Sequence, residues 1–263
     1  MLRGVSSGLA PHAVSRLRAE RLTRSTRPFL SRGGPRGERC EGCRLRPTHC
    51  MCALRPQLAT RAGFCLLMHD AEPLKPTNTG WLIADAVRDC EAFGWARTAA
   101  DPRLLALLAG DEWQPYVVFP GEFVQPPGRV VQGLGQPPHG LLPGKRPLFV
   151  LLDATWPEAR KMFRKSPYLD RFPVLSLHPD QVSGYRLRRS RREDHFCPSE
   201  VAALCLELAD DARDRHVGRV LESYLGVFTQ RYLQAKNQQP VDEGSAEHAR
   251  LRGLLAGMDH RKA

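Results

Sequence analysis

Short apolar runs recur along the chain, and each ends at a polar or helix-breaking residue. The runs lie at Gly63 to His69, Tyr116 to Phe119, Leu148 to Leu152 and Val174 to Leu177. Continuous apolar runs of this kind are typical of strands that are buried on both faces of a sheet. The pattern therefore predicts four buried strands.

Segments with helical periodicity separate and follow these runs. They lie at Gly80 to Phe93, Asp101 to Leu108, Pro157 to Lys165, Pro198 to Ala212 and Val217 to Ala235. Strands that alternate with helices favour an α/β domain with a mostly parallel sheet flanked by helices. We expect this domain to span residues 61–236.

Three stretches fall outside this alternation. Residues 120–146 hold six prolines and six glycines in 27 positions, which predicts a long loop. Residues 1–15 are rich in serine, glycine and alanine, and we predict a disordered basic tail there. Residues 237–263 are mostly polar and are predicted to form a C-terminal tail, with a short possible helix at Glu247 to Met258.

Four cysteines lie within thirteen residues, with the spacing Cys-x2-Cys-x6-Cys-x-Cys. They are Cys40, Cys43, Cys50 and Cys52. Four thiolates at this spacing can surround one tetrahedral zinc ion. Disulfides are the alternative, but they need an oxidising compartment and usually a short chain, whereas this chain has 263 residues and no secretory signal pattern. We predict a structural zinc knuckle over residues 16–60, with His49 as an alternative ligand.

Positive charge is concentrated near the start of the chain. The protein has 39 lysines and arginines against 28 acidic residues, and residues 1–46 hold eleven of the arginines against three glutamates. A basic surface beside a zinc site favours a polyanion such as RNA or DNA as partner. An arginine-rich start is also typical of an organellar transit peptide. No apolar stretch reaches the ~18 residues of a membrane span, so we expect a soluble protein.

A second candidate site follows the apolar run that ends at Asp153. Thr155 and Glu158 have the spacing of a capping box, so Thr155 is expected to cap a helix with Trp156 in its first turn. Asp153 and Trp156 then lie at the carboxyl edge of the sheet, where open α/β folds bind ligands. Asp153 either closes the turn or acts chemically, and Trp156 either covers the core or stacks on a base.

Further candidate residues surround this edge. Thr77, Asn78 and Thr79 precede a predicted helix, whose first amides can bind carboxylate or phosphate, although ordinary capping is the alternative. Arginines on several segments are candidates for phosphate contacts or for plain solvated surface. They are Arg44, Arg46, Arg160, Arg164, Arg186 and Arg188. The chain has no phosphate-binding glycine loop, Gly-x-Ser-x-Gly motif or dinucleotide fingerprint, so hydrolase and NAD functions lack support.

These segments together resemble the DTW-domain family, which is named for its Asp-x-Thr-Trp motif. That motif stands here as Asp153-Ala154-Thr155-Trp156, and the cysteine cluster and four other motifs occur in the family's order. The other four are Met68 to Glu72, Thr77-Asn78-Thr79-Gly80, Phe119-Pro120-Gly121-Glu122 and Cys197 to Ala202. The last reads Cys-Pro-Ser-Glu-Val, where many members have Ser-Thr-x-Glu-Ala. The resemblance spans roughly residues 16–234.

The resemblance implies a bacterial cytoplasmic tRNA-uridine aminocarboxypropyltransferase whose fold is SPOUT-like, with a C-terminal knot. Such enzymes transfer the 3-amino-3-carboxypropyl group of S-adenosylmethionine to the imide nitrogen of a uridine in tRNA and release methylthioadenosine. No membrane and no obligatory protein partner are implied. A SPOUT-type RNA methyltransferase and a non-catalytic zinc-dependent RNA-binding protein are the alternatives.

The chemistry that the resemblance implies can be assigned to residues. Asp153 is our candidate base, with a pKa raised by burial above about 3.9, or else it orients the donor together with Trp156. Thr155 completes the catalytic motif. We expect the donor to contact Pro120, Gly121, Glu122, Ser199 and Glu200. The Thr77 to Gly80 segment would hold a carboxylate or the target nucleotide, and the zinc knuckle with its arginines would bind tRNA phosphates.

Overall fold

The computed structural model describes residues 10–25, 38–135, 139–177 and 196–259. Its centre is a six-stranded sheet in which every strand pair is parallel. The strands are β1 (Gly63–Met68), β2 (Cys90–Gly94), β3 (Trp113–Val118), β4 (Val130–Val131), β5 (Arg146–Asp153) and β6 (Val174–Leu175). Their order is β2-β1-β5-β3-β6-β4. The predicted α/β class with a mostly parallel sheet flanked by helices is confirmed.

Helices cover both faces of this sheet. They are α1 (Ala13–Leu22), α2 (Gly80–Ala86), α3 (Pro102–Ala109), α4 (Trp156–Arg164), α5 (Pro198–Leu208), α6 (Ala212–Lys236) and α7 (Ala246–Asp259). Helices α2, α5 and α6 lie on one face together with the cysteine cluster, while α3 and α4 lie on the other. Helix α1 packs on β2 and α2, and α7 packs on α6.

The strand β1 illustrates why an apolar run forms a central strand here. All six of its residues are buried. Phe64 and Leu66 pack into the layer that contains α6, and Cys65 and Leu67 pack into the layer that contains α4. Since successive side chains of a strand point to opposite faces, a strand between two helical layers needs apolar residues at every position.

The predicted helix from Gly80 to Phe93 is wrong in its second half. Helix α2 ends at Ala86, and β2 follows as the edge strand beside β1. Cys90 pairs with Phe64 in this ladder, and Cys90 and Phe93 are buried. Pairing with β1 makes this segment a strand, although its local sequence has helical periodicity. The predicted loop at residues 120–146 likewise contains β4, which pairs with β6.

The predicted short helix near the C-terminus is confirmed as α7. Leu251 and His248 of this helix are buried, so part of the predicted tail belongs to the packed fold. The predicted knot depends on the path of residues 178–195, which connect β6 to α5. These residues lie outside the described part of the chain, so the knot stays a prediction. Residues 1–9 of the predicted N-terminal tail also lie outside that part. Among the described helices, none has the length and apolar character needed to span a membrane.

Candidate active site and cysteine cluster

Asp153 is the last residue of β5, the strand with neighbours β1 and β3 on either side, and it is fully buried. The β1–β5 register places Met68 opposite Asp153, and the N–H of His69 donates a hydrogen bond to the Asp153 carbonyl at 2.9 Å. The two strands therefore end together, and the Asp153 side chain lies at the carboxyl edge of the sheet, as the sequence predicted.

The side-chain amide of Asn78 holds the Asp153 carboxylate. Its Nδ2 donates to Asp153 Oδ2 at 2.6 Å and to Glu72 Oε2 at 3.2 Å, while its Oδ1 accepts from the N–H of Trp81 at 3.0 Å. A flipped amide would point its oxygen at two carboxylates, so these contacts fix its orientation. Asn78 is fully buried. Its side chain is engaged with protein groups, and the expectation that it binds substrate stays a prediction.

Three further residues complete what we call the Asp153 site, which consists of Glu72, Lys75, Asn78, Gly80 and Asp153. Glu72 is fully buried, and Lys75 Nζ lies 2.5 Å from its Oε1. A Cβ atom built at Gly80 would lie 2.4 Å from Asp153 Oδ2. Only glycine therefore leaves room for the carboxylate at the start of α2.

Glu72 was missed as a functional candidate. Its position in the motif Met68 to Glu72 was noted, but its burial and its link to Asp153 through Asn78 depend on the fold. The spacing from Glu72 to Lys75, three residues as in a helical turn, was the signal that could have found the pair.

The start of α4 fixes the rest of the Asp-x-Thr-Trp motif. Glu158 accepts hydrogen bonds from Thr155 N at 2.9 Å and from Thr155 Oγ1 at 2.5 Å, and His69 Nδ1 lies 3.3 Å from Glu158 Oε1. Burial opposes ionisation of Glu158, but the hydrogen bonds from Thr155, with His69 and Lys75 nearby, outweigh it, and its pKa is lowered. The predicted capping box is confirmed, and Thr155 is exposed beside Asp153.

Trp156 packs onto an aromatic cluster at the end of β3. Its ring stacks on Phe119 with centroids 5.5 Å apart and meets Phe123 edge-on at 5.4 Å. Phe119 in turn stacks on Phe163 of α4 at 4.4 Å. Of the two roles left open by the sequence, this packing favours a cover over the core, although the half-buried ring keeps an accessible part.

The segments expected to contact the donor lie near the same edge. Pro120 and Glu122 are exposed just after β3, and Gly121 N donates to Ser176 Oγ at 3.0 Å. Ser199 is buried at the start of α5, where its N–H donates to Thr79 Oγ1 at 3.4 Å.

Hydrogen bonds within the protein engage two of the residues that were predicted to contact a ligand, Thr79 and Glu200. Thr79 is buried and contacts the start of α5, and its predicted role in substrate binding stays a prediction. Glu200 accepts a hydrogen bond from Cys197 N at 2.8 Å, which makes it part of the cap of α5. Thr77 is half-buried on the same loop.

The four predicted zinc ligands converge. One Sγ atom from each of Cys40, Cys43, Cys50 and Cys52 lies within 4.8 Å of the others. Three pairs of sulfur atoms are 3.5 to 3.8 Å apart. Zn–S bonds of about 2.3 Å in a tetrahedron place sulfur atoms about 3.8 Å apart, so the cluster fits a structural zinc ion. His49 does not join it, since its ring nitrogens contact Thr48 Oγ1 and the Gln239 carbonyl, each at 2.9 Å.

The arginines predicted to bind phosphate differ in their exposure to solvent. Arg44 is fully buried, so its predicted phosphate contact is wrong. Arg46 is half-buried beside the cluster, and Arg160 and Arg164 are exposed on α4, where phosphate contacts stay a prediction. Arg186 and Arg188 lie outside the described residues.

Known proteins similar to this chain are found by sequence and not by structure. No solved structure matches the chain. The tRNA-uridine aminocarboxypropyltransferase 2 of Drosophila melanogaster is 25% identical to it over 236 residues, which cover 86% of this chain and 84% of that relative. The family model described as the DTW domain matches residues 37–233, a span that includes the Asp153 site and the cysteine cluster. The chain therefore belongs to the DTW-domain family, as the resemblance indicated.

Proposed function

We propose that this protein transfers the 3-amino-3-carboxypropyl group of S-adenosylmethionine to the imide nitrogen of a uridine in tRNA. Membership of the DTW-domain family and the name of the Drosophila relative support a tRNA-modifying transferase. The observation that carries the proposal is the Asp153 carboxylate, which lies fully buried at the carboxyl edge of the sheet with Asn78 Nδ2 at 2.6 Å.

The reaction needs a group that removes a proton from a weakly acidic imide. In the proposed step, the carboxylate of Asp153 accepts this proton as the uridine nitrogen forms a bond to the carbon beside the donor sulfur. The bond between that carbon and the sulfur breaks, the sulfur keeps the electron pair, and methylthioadenosine leaves. Asp153 then releases the proton to solvent. The hydrogen bond from Asn78 fixes the direction of the carboxylate, which a positioned base requires.

The donor is proposed to lie between the loop after β3 and the start of α5. Pro120 and Glu122 are exposed there, and Ser199 lies beside Thr79 on the helix start next to Asp153. Trp156 and Thr155 border the same edge. The sulfonium of the donor favours aromatic faces and carboxylates, both of which this edge offers.

We propose that the tRNA contacts Arg46 beside the cysteine cluster and Arg160 and Arg164 on α4. The cysteine cluster would hold zinc through four ligands, so the metal would stabilise the fold and supply no chemistry. We propose that the protein acts in the cytoplasm and needs no obligatory protein partner.

A transfer assay with two labels tests the function. The protein is incubated with tRNA and with adenosylmethionine labelled either in the aminocarboxypropyl chain or in the methyl group. We expect only the first label to enter tRNA, and we expect Asp153→Asn to reduce its transfer by about a hundredfold or more, as loss of a general base does. Asp170→Asn, which changes an exposed aspartate, is the matched control and should retain transfer.

Two outcomes would favour other functions. Transfer of the methyl label alone would identify a SPOUT-type RNA methyltransferase. If neither label is transferred, adenosylmethionine fails to bind in calorimetry and tRNA still binds, the protein is a zinc-dependent RNA-binding protein. The basic charge and the cysteine cluster alone would fit that second alternative.

A further inference from the structure

The cysteine cluster is directly connected to the loop that holds Asp153. We use the name 75–81 loop for residues 75–81, which end in the first turn of α2. Trp81 Nε1 donates a hydrogen bond to the Gly42 carbonyl at 2.9 Å. Arg44 Nη1 donates to the carbonyls of Lys75 at 3.1 Å and Asn78 at 2.9 Å. Three hydrogen bonds therefore join residues 42–44 to the 75–81 loop.

The burial and the contacts of the Arg44 side chain fit this role and not RNA binding. Its side chain is fully buried, and its guanidinium lies over the ring of Trp81 at 4.3 Å and over that of Phe228 at 5.7 Å. Buried cation–π contacts of this kind hold an arginine in one orientation. A phosphate in solvent cannot reach it.

The cysteine turn sets the direction of this side chain. Arg44 has a φ of 65°, in the left-handed region that non-glycine residues seldom adopt. Its N–H donates to the Cys40 carbonyl at 2.8 Å, within the turn that brings Cys40 and Cys43 together. The conformation that aims Arg44 at the loop is thus part of the conformation that gathers the cysteines.

We propose that Arg44 is a positioning residue for the transfer reaction. It holds the backbone of Asn78, and Asn78 holds the carboxylate of Asp153. The inner side of the cysteine module thereby supports the reacting group, in addition to any role of its outer side in RNA binding. This inference rests on the proposed function and names a residue through which the module acts on Asp153.

Arg44→Met and Arg44→Lys test the inference, with Arg88→Met as the matched control. Methionine keeps much of the apolar side chain and removes the donors, while lysine restores the charge and one donor group. Arg88 is exposed just before the amino end of β2, whereas Asp153 lies at the carboxyl ends of the strands. Misplacement of a reacting group by about 1 Å can cost about a hundredfold in rate. We expect kcat of Arg44→Met to fall by about tenfold to a hundredfold, with KM for tRNA unchanged, and lysine to restore part of kcat.

Amide hydrogen exchange provides a readout that does not depend on the reaction. The N–H of Trp81 donates to Asn78 Oδ1, so it reports on the position of that side chain. We expect faster exchange at Trp81 in Arg44→Met and the wild-type rate in Arg88→Met.

Each outcome decides one question. If the wild-type protein transfers no aminocarboxypropyl group, the proposed function fails, and exchange at Trp81 still decides whether Arg44 holds the loop. If the wild type is active, full kcat with weaker tRNA binding in Arg44→Met would make Arg44 an RNA contact and overturn the inference. A loss of kcat that only follows the folded fraction, measured by near-UV circular dichroism, would also overturn it.

Discussion

At the scale of single residues, Gly80 lies so close to Asp153 that a methyl group has no room. A Cβ atom there would lie 2.4 Å from Asp153 Oδ2, and Asn78 holds that oxygen in place. We expect Gly80→Ala to lower the single-turnover transfer rate by about tenfold or more. We also expect a loss of about 1–3 kcal/mol in the free energy of unfolding, measured in urea.

The control for this substitution is Gly253→Ala in α7. A Cβ atom at Gly253 would have no atom within 4 Å, and alanine favours the helix by about 0.5–1 kcal/mol. The control should therefore keep the transfer rate and gain stability. An unchanged transfer rate in Gly80→Ala would show that displacement of the Asp153 carboxylate does not affect the reaction.

His12 is a buried neutral cap for α1. Its Nδ1 accepts a hydrogen bond from Ser15 N at 3.1 Å, and its Nε2 lies 3.5 Å from Asp85 Oδ1. Burial, followed by the charges of Arg55 and Arg44, lowers the pKa of His12 to about 2. Burial raises the pKa of Asp85 to about 7, and Arg55 opposes that rise.

These pKa values predict how stability changes with pH. The pKa of His12 in the folded state lies below its unfolded value of about 6.5, so the unfolded chain takes up the proton first. Its stabilising effect is present above about pH 6.5 and is lost as the pH falls. Asparagine at position 12 keeps a capping acceptor but does not titrate.

We therefore expect His12→Asn to gain stability relative to the wild type as the pH falls. The gain should be about 1.4 kcal/mol per pH unit below about pH 6.5. Asp85 acts in the opposite direction over this range. Because it contacts His12, the comparison is repeated in an Asp85→Asn background, where position 85 does not titrate. Urea unfolding at several values between about pH 5 and pH 7 measures the difference, and a pH-independent result would contradict a neutral buried His12.

Residue-level prediction from the sequence succeeded where a side chain acts through its local motif. Asp153, Thr155 and Glu158 were located because a strand end and a helix cap lie within six positions. It did not reveal the buried contacts of Asn78 and Arg44, whose partners lie 75 and 34 positions away. Whether a polar side chain faces solvent or a buried acceptor is decided by such distant contacts, which local patterns do not contain.

At the scale of secondary-structure elements, the same reason explains which segments were predicted. The four apolar runs became strands because burial on both faces leaves a pattern that can be read locally. The strand β2 lies at the edge of the sheet, and Glu91 is exposed there. Its sequence is compatible with a helix, and only the ladder with β1 makes it a strand. The strand β4 has two residues and no readable periodicity.

The cysteine cluster is also joined to the C-terminal helices. Arg231 of α6 donates a hydrogen bond to the Cys50 carbonyl, and its Nε lies 2.9 Å from His248 Nε2 of α7. The Gln239 carbonyl contacts His49 at 2.9 Å. Loss of the cluster should therefore loosen the contact with α7 as well as the N-terminal module.

We expect Cys43→Ser to lower both zinc content and thermal stability. Freshly purified wild-type protein should hold one zinc ion per chain by elemental analysis, and the variant should hold less. Hydrogen exchange in α7 should become faster in the variant, because the Cys50 carbonyl no longer has a fixed position for Arg231. The control is Cys205→Ala, which removes a buried thiol of α5. It should reduce packing and leave the zinc content per chain unchanged. Wild-type protein without zinc would contradict the structural site.

At the scale of the whole molecule, exposed arginines lie in both helical layers. The formal net charge is +11. Helix α4 begins at the carboxyl edge beside Asp153 and exposes Arg160 and Arg164 along its length, and the guanidinium of Arg160 lies over Phe123 at 4.5 Å. On the other face, exposed Arg250 of α7 pairs with Glu222 of α6 at 2.7 Å. If tRNA approaches the Asp153 site, the basic side chains of α4 are closer to its phosphates than those of α7.

This geometry predicts a difference in the salt dependence of tRNA binding. The logarithm of the binding constant should fall linearly with the logarithm of salt concentration, because each neutralised phosphate releases counterions. Arg160→Gln and Arg164→Gln should each reduce the slope by about one, measured by filter binding over a salt series. Arg250→Gln removes an equal charge on the opposite face and should leave the slope unchanged. Equal effects of all three variants would mean that only net charge governs binding, whereas an effect confined to α4 would place the tRNA across the edge that holds Asp153.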